Sequence, residues 1–328
     1  MKTLSCERVF HLLLIVPHFN IFWRNEVLTT MSTMEIELQH TTSVFRCGRK
    51  TLDFSARTYI MGVLNVTPDS FSDAGKYATQ EKAVDHALQM AADGADIIDV
   101  GGESTRPKGP YGEGAEEVSV EEEIRRVIPV IKELSARSAV AISIDTYKSA
   151  VAEAALDAGA AIVNDISGLN FDTSMAHVVA SHGATLIAMH TKGTPRTMQQ
   201  NPTYEDVVKE VKQSLFLSIE KARAAGIEQV MVDPGIGFGK TLGHNLLLMK
   251  NLRQFVELGC PIAIGPSRKA FIGMLLDLPV SQRLEGTAAA IAASILAGAN
   301  VVRVHDVKEI KRVALVTDAI LRASKTNP

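Results

Sequence analysis

At 328 residues, with 46% apolar but only 5% aromatic side chains, the chain has material for one large α/β barrel or for two ordinary domains. Its formal net charge of −3 is spread along the sequence, with no basic block and no aromatic-interleaved basic stripe, which argues against a nucleic-acid partner. The three cysteines (Cys6, Cys47 and Cys260) stand far apart without a CxxC, which argues against a disulfide framework or zinc site and fits free thiols in a reducing cytoplasm.

The first 43 residues differ from the remainder. Residues 9–23 read VFHLLLIVPHFNIFW, but Pro17, His18 and Asn20 interrupt the apolar run. It is too short and broken to span a bilayer, and no A-x-A-like cleavage site follows. Met31 and Met34 offer alternative starts. Residues 1–43 are therefore read as an N-terminal extension, a disordered tail or a start-site artefact, with a targeting segment or a small packed element as the alternative, and residues 44–328 as the working domain.

From residue 44 onward one pattern repeats. A short β-branched run is followed by a polar or Gly-rich loop and then by apolar residues at helical spacing. The predicted strands cover residues 59–64, 97–100, 140–144, 161–163, 185–189, 229–232, 261–264 and 301–304. Helical stretches lie between them, among them residues 81–93, 120–134, 147–158 and 204–225, and Gly94, Gly159, Gly226 and Gly298 stand at helix ends. Continuous apolar strands alternating with helices imply a parallel sheet, and eight such units in about 280 residues favour a closed (β/α)8 TIM barrel over an open doubly wound sheet. Residues 43–52 are expected to form a hairpin closing the barrel's lower end.

Such barrels carry their active sites at the C-terminal ends of the strands. Reading those ends in order yields Asn65; Asp99 and Gly101-Gly102-Glu103-Ser104-Thr105-Arg106; Asp145; Asn164-Asp165; Met189-His190; Asp233; Ser267-Arg268-Lys269; and Arg303 with His305. Singly, each has a bland reading. Asp99 and Asp165 are also candidates for helix caps, and His190 and His305 for satisfied core histidines. Asp145, Asn164, Asp233 and Lys269 together suit a flat heterocycle with an amino-pyrimidinone edge, because a carboxylate takes two N–H bonds from a guanidine-like group. Arg106, Arg303 and His305 suit anions. Ser267 is the expected N-cap of a helix whose free N–H groups would face a phosphate or carboxylate.

Two glycine-rich matches fail. The segment Asp233-Pro234-Gly235-Ile236-Gly237-Phe238-Gly239-Lys240-Thr241 ends like a P-loop, but Pro234 stands where the first glycine is required. It is GxGxG, not the dinucleotide GxGxxG, and reads better as a tight loop beside a flat ligand.

These motifs, in this order, resemble the dihydropteroate synthase family of pterin-binding enzymes. Asn65-Val66-Thr67-Pro68-Asp69-Ser70-Phe71-Ser72-Asp73 is similar to the family's first signature loop, and Gly101-Gly102-Glu103-Ser104-Thr105-Arg106-Pro107 to its second. Asp145-Thr146-Tyr147-Lys148, Val163-Asn164-Asp165, Met189-His190, Asp233-Pro234-Gly235, Ser267-Arg268-Lys269 and Arg303-Val304-His305 complete the set.

The resemblance implies condensation of (7,8-dihydropterin-6-yl)methyl diphosphate with 4-aminobenzoate to 7,8-dihydropteroate in folate biosynthesis, by an SN1-like displacement aided by Mg2+ in a homodimer. It implies pterin contacts from Asp145, Asn164, Asp233 and Lys269, with Met189 and Phe238 packed on the ring. Asn65, Arg303 and His305 would hold the diphosphate, Asn65 beside Mg2+. Thr105, Arg106 and Pro107 would shape the 4-aminobenzoate site under Phe71, and Asp73 would stabilise positive charge on the pterin. Asp73, Thr105, Arg106, Lys269, Arg303 and His305 are the residues it implicates in catalysis. The two long loops after the first two strands are expected to move and to close over the reactants.

Three departures stand out. Ala74 replaces a glycine of the family pattern, Lys108–Glu113 look like an insertion of about six residues in the second loop, and Ala270 replaces a serine, with consequences for sulfonamides, which mimic 4-aminobenzoate. Two rival readings stay open: a non-catalytic pterin-binding paralogue and a pterin-dependent methyltransferase.

Overall fold

The computed structural model describes residues 43–67, 76–104, 108–109, 112–113 and 117–323. It opens with an antiparallel hairpin, β1 (Val44–Cys47) and β2 (Lys50–Asp53), in which Phe45 pairs with Leu52. The barrel strands are β3 (Tyr59–Asn65), β4 (Ile97–Gly101), β7 (Ala141–Asp145), β8 (Ile162–Asp165), β9 (Thr185–Met189), β10 (Val230–Asp233), β11 (Ala263–Ile264) and β12 (Val301–Val304). Between β4 and β7 lies a two-residue ladder of β5 (Lys108–Gly109) and β6 (Gly112–Glu113), in which Lys108 pairs with Glu113 and Gly109 with Gly112.

The eight barrel strands are parallel and follow one another in chain order around the sheet, β11 returning through β12 to β3. The remaining seam, between β10 and β11, is closed by a bridge from Val232 to Ile262 and by Val232 N–H donating to the Pro261 carbonyl at 2.9 Å. Proline cannot donate to a ladder, so the strand expected over 261–264 narrows to Ala263–Ile264.

Nine α-helices of the described residues lie between and after the strands: α1 (Lys76–Ala92), α2 (Val120–Arg137), α3 (Ser149–Asp157), α4 (Met175–Ser181), α5 (Val207–Ala224), α6 (Leu242–Lys250), α7 (Ala270–Leu276), α8 (Leu284–Leu296) and α9 (Val307–Arg322). In α2, Ser119 caps the Glu122 N–H, and acidic residues 121–123 occupy the positive end of the helix dipole. Val127, Val130, Ile131 and Leu134 then fall on one buried face.

Two-residue alternation divides the strand side chains. Ile60, Ile98, Ile142, Val163, Leu186, Val232 and Val302 join the core beneath the helices. The other parity points into the barrel. At its lower end Tyr59, Met61, Ile97, Ala141, Ile162, Ile187, Met231, Ala263 and Val301 pack with Phe45, Cys47, Leu52 and Phe54 of the hairpin. The expected plug is present, and Phe45 meets Phe54 edge-on at 5.1 Å.

Candidate active site

One or two steps further along the same inward parity, apolar side chains give way to polar ones. Met61 is followed by Val63 and Asn65, Ile97 by Asp99, Ala141 by Ser143 and Asp145, Ile162 by Asn164, Met231 by Asp233, and Val301 by Arg303 and His305. The parallel ladder levels these residues, pairing Gly101 with Asp145 and Asp145 with Asn164.

Arg303 is the hub. Its Nε donates to Asp99 Oδ2 at 2.6 Å and its Nη2 to Asp145 Oδ2 at 2.6 Å. Asn164 Nδ2 donates to the same Asp99 oxygen at 3.1 Å. Asp99 is fully buried, and its Oδ1 has no hydrogen-bond partner among the described residues. It does not cap a helix; it orients Arg303 and Asn164 from below. Local spacing cannot separate these two readings, because Asp99 meets Arg303 across 204 residues. Burial opposes the charge on Arg303, but Asp99 and Asp145 outweigh it and hold the guanidinium protonated.

Burial pushes the Asp145 carboxyl up to about 7, against the pull of Arg303. Asp233 is also raised by burial, opposed by Lys269 and by the Gly235 N–H, which donates to its Oδ1 at 2.7 Å. Lys269 is lowered to about 8 by burial, with Asp233 pulling the other way. Its ammonium donates to the Ile236 carbonyl and lies 4.7 Å from the centre of the Phe238 ring. Met189 ends β9 on the same inward side, 5% exposed. Carboxylates and a lysine gathered in one mouth and each pushed toward neutrality by burial are the pattern of a candidate functional cleft.

The loop after β10 is built around close backbone approach. Gly235 has φ +70°, and a Cβ there would lie 1.9 Å from the His190 carbonyl oxygen, so no other residue fits. Lys240, the lysine of the false P-loop, is buried and donates to the Phe238 carbonyl at 2.8 Å and to His190 Nδ1 at 3.0 Å. Burial lowers His190 to about 2, so it is a neutral acceptor that fastens this loop. The core reading of His190 holds.

The segment after β11 differs from expectation. The N-cap of α7 is Lys269, without a side-chain cap bond, and Ser267 is not the cap. Arg268 takes φ +56°, which turns the chain before the helix begins. Ser267 Oγ instead pairs with His305 Nδ1 at 3.1 Å and accepts from the His305 N–H at 3.2 Å, tying the ends of two neighbouring strands together. Asn65, at the end of β3, is partly exposed. A Cβ on Gly101 would lie at ordinary contact distance from Asp145 Cβ (3.6 Å) and Asn65 Oδ1 (3.9 Å), so Gly101, Asp145 and Asn65 share one corner of the mouth. The expectations for Phe71, Asp73, Ala74, Thr105, Arg106 and Pro107, and those for residues 1–42, fall outside the described residues.

A closed (β/α)8 barrel with a charged mouth at the C-terminal ends of its strands is the architecture of a large class of enzymes. The pterin-binding enzyme family model matches residues 61–305. The chain belongs to that family, among its dihydropteroate synthases. It is 46% identical to the dihydropteroate synthase of Bacillus subtilis over 288 residues, covering 86% of this chain and 96% of the relative. The Xanthomonas albilineans dihydropteroate synthase solved with 4-aminobenzoic acid is 41% identical with a TM-score of 0.79, covering 87% of this chain and all of that one. The Yersinia pestis enzyme solved with a sulfonamide drug is 40% identical, also with a TM-score of 0.79, covering 85% of this chain and all of that one.

Proposed function

We propose that this chain joins (7,8-dihydropterin-6-yl)methyl diphosphate to 4-aminobenzoate, releasing diphosphate and 7,8-dihydropteroate in folate biosynthesis. The observation that carries the reading is the meeting of Asp145, Asn164, Asp233, Lys269 and Arg303 in one mouth, in a chain of the dihydropteroate synthase family.

Asp145, Asn164 and Asp233 each keep one polar oxygen without a partner among the described residues, while the other side-chain atom is held by the protein. Carboxylates held in this way accept the N–H groups of an amino-pyrimidinone with little reorganisation. Phe238 and Met189 supply the apolar faces for the ring, and Lys269 a donor to its acceptor edge. Arg303 has an Nη1 without a partner among the described residues and faces the diphosphate together with His305. By the family resemblance Thr105, Arg106, Pro107 and Phe71 would serve the 4-aminobenzoate site, and Asp73 would steady positive charge on the pterin. These assignments follow the family resemblance of the motifs.

Among the described residues no three His, Cys, Asp or Glu side chains gather into a metal cage. Mg2+ suits such a site, because it commonly takes one or two protein oxygens and fills its octahedron from phosphates and water. Asn65 would supply the protein oxygen, and bound Mg2+ would neutralise charge on the leaving diphosphate. Fixed cations at Arg303 and Lys269 favour the same departure. The pterin ring delocalises the cation left on its exocyclic carbon, so the weak aryl-amine nucleophile needs no strong general base. This accounts for the lack of a catalytic dyad among the described residues of the mouth.

We also assign the chain to the cytoplasm, as a homodimer. Cys47 and Cys260 are buried free thiols, and no helix of the described residues is long and apolar enough to cross a membrane. On α9, Leu315, Val316 and Ile320 are 56%, 61% and 65% exposed, an apolar face suited to a second copy.

Purified protein should release diphosphate from the pterin substrate only when 4-aminobenzoate and Mg2+ are both present. Pterin binding without release would favour a non-catalytic binding paralogue. Methyl transfer from a methylated pterin would favour the methyltransferase reading.

A further inference from the structure

A second polar cluster lies beside the mouth and takes no part in the chemistry above. Lys148, just after β7, sends its ammonium to Glu103, to Glu123 Oε2 at 2.6 Å and to the Val118 carbonyl at 2.6 Å. Glu103 takes a further bond from Tyr147 Oη at 3.0 Å. The side chains of Lys148, Glu103 and Glu123 are 12%, 7% and 1% exposed. One cation thus faces two sheltered carboxylates, and Glu123 Oε1 has no partner among the described residues.

The positions of the partners give the cluster its meaning. Glu103 lies two residues before Thr105, on the entering foot of the second loop, whereas Val118 lies on the departing foot. Lys148 is bonded to both feet at once, and Glu123, one turn into α2, braces it from behind. Arg126 adds a bond to the Gly102 carbonyl at 2.8 Å on the same entering foot. Lys148 is also three residues beyond Asp145, so the pterin carboxylate and the footing of the loop share one short segment.

We propose that Lys148 is a positioning residue for the 4-aminobenzoate half-site, setting the separation of the two feet of the second loop through Glu103 and Val118. It touches neither substrate. Hydrophobic packing would hold the feet less specifically, because a charged centre with three fixed acceptors has one arrangement that satisfies all of them. The inference rests on the proposed reaction and adds to it which residue sets the geometry of the second substrate's site.

The test uses the full chain and three variants. For Lys148→Met, the KM for 4-aminobenzoate should rise at least tenfold, while the Kd for the pterin diphosphate by calorimetry changes less than twofold. Lys148→Arg should restore most of the KM, because it keeps the charge and several donors. Should the Met variant fail to fold, Glu103→Gln weakens one foot alone and should raise the same KM several-fold with the pterin Kd unmoved. An unmoved KM in a folded variant, or parallel losses for both substrates, would overturn the proposal. Wild-type protein without 4-aminobenzoate-dependent turnover would overturn the proposed reaction itself, and this inference with it.

Discussion

The two ends of the barrel are made by the same strands with the same inward parity, yet they are opposite in character. At the lower end, inward side chains are Met61, Ile97, Ala141, Ile162, Met231 and Val301, capped by Phe45, Leu52 and Phe54. At the upper end, two to four residues on, they are Asn65, Asp99, Asp145, Asn164, Asp233 and Arg303. The lower end excludes water by packing. The upper end keeps charge in a sheltered place, where each carboxylate must be matched by a cation or by a hydrogen bond. Stability and function are thus separated along one axis, and substitutions at the two ends should have separable effects.

The largest effect on stability should come from the plug. Phe45→Ala removes a 2%-exposed ring from the hairpin and should cost about 3–5 kcal/mol. Chemical denaturation would show this, while kcat measured below the melting transition stays within twofold of wild type. A large fall in kcat in the folded variant would break the separation.

Next in size is Arg303→Ala. It leaves Asp99 and Asp145 without their shared cation, and affinity for the pterin diphosphate should fall at least a hundredfold, about 2.7 kcal/mol. Binding of the bare hydroxymethyl pterin should suffer far less, and equal losses for both would contradict a role at the diphosphate. Asp233→Asn should weaken pterin binding about tenfold, roughly 1.4 kcal/mol, with a small change in Tm; calorimetry decides it.

The smallest effect at neutral pH is a pH dependence. Because burial raises Asp145 to about 7, its neutral form is the one the fold prefers. Its contribution to stability is full below the ordinary carboxylate range and is lost as pH rises through about 7. Ligand binding needs the ionised form, so it moves the other way. Pterin affinity should fall about twofold on reaching pH 7 from above and about tenfold by pH 6. Asp145→Asn should lack this slope, and an unchanged slope in that variant would assign the titration to another group.

The eight-strand repeat was legible because buried parallel strands and helix-ending glycines leave strong local marks. The convergence of strand-end residues on one mouth followed from the barrel alone. Serine before a helix is often its cap, so local spacing assigns Ser267 that place, but Arg268 in the left-handed region delays α7 to Ala270 and frees Ser267 for His305. Asp99 looked like a cap for a similar reason, since its partner Arg303 is a neighbour only after the barrel closes.

The amino-acid sequence by itself determined the order of strands and helices, the inward parity of each strand and the identity of the groups delivered to the mouth, because these depend on local periodicity and spacing. Which of those groups pair was decided only by the tertiary structure. Arg303 with Asp99 and Asp145, Ser267 with His305, and Lys148 with both feet of the second loop are contacts between distant segments. Closing the sheet brings their strand ends within hydrogen-bond reach, and burial there makes each unmatched charge too costly to leave unpaired.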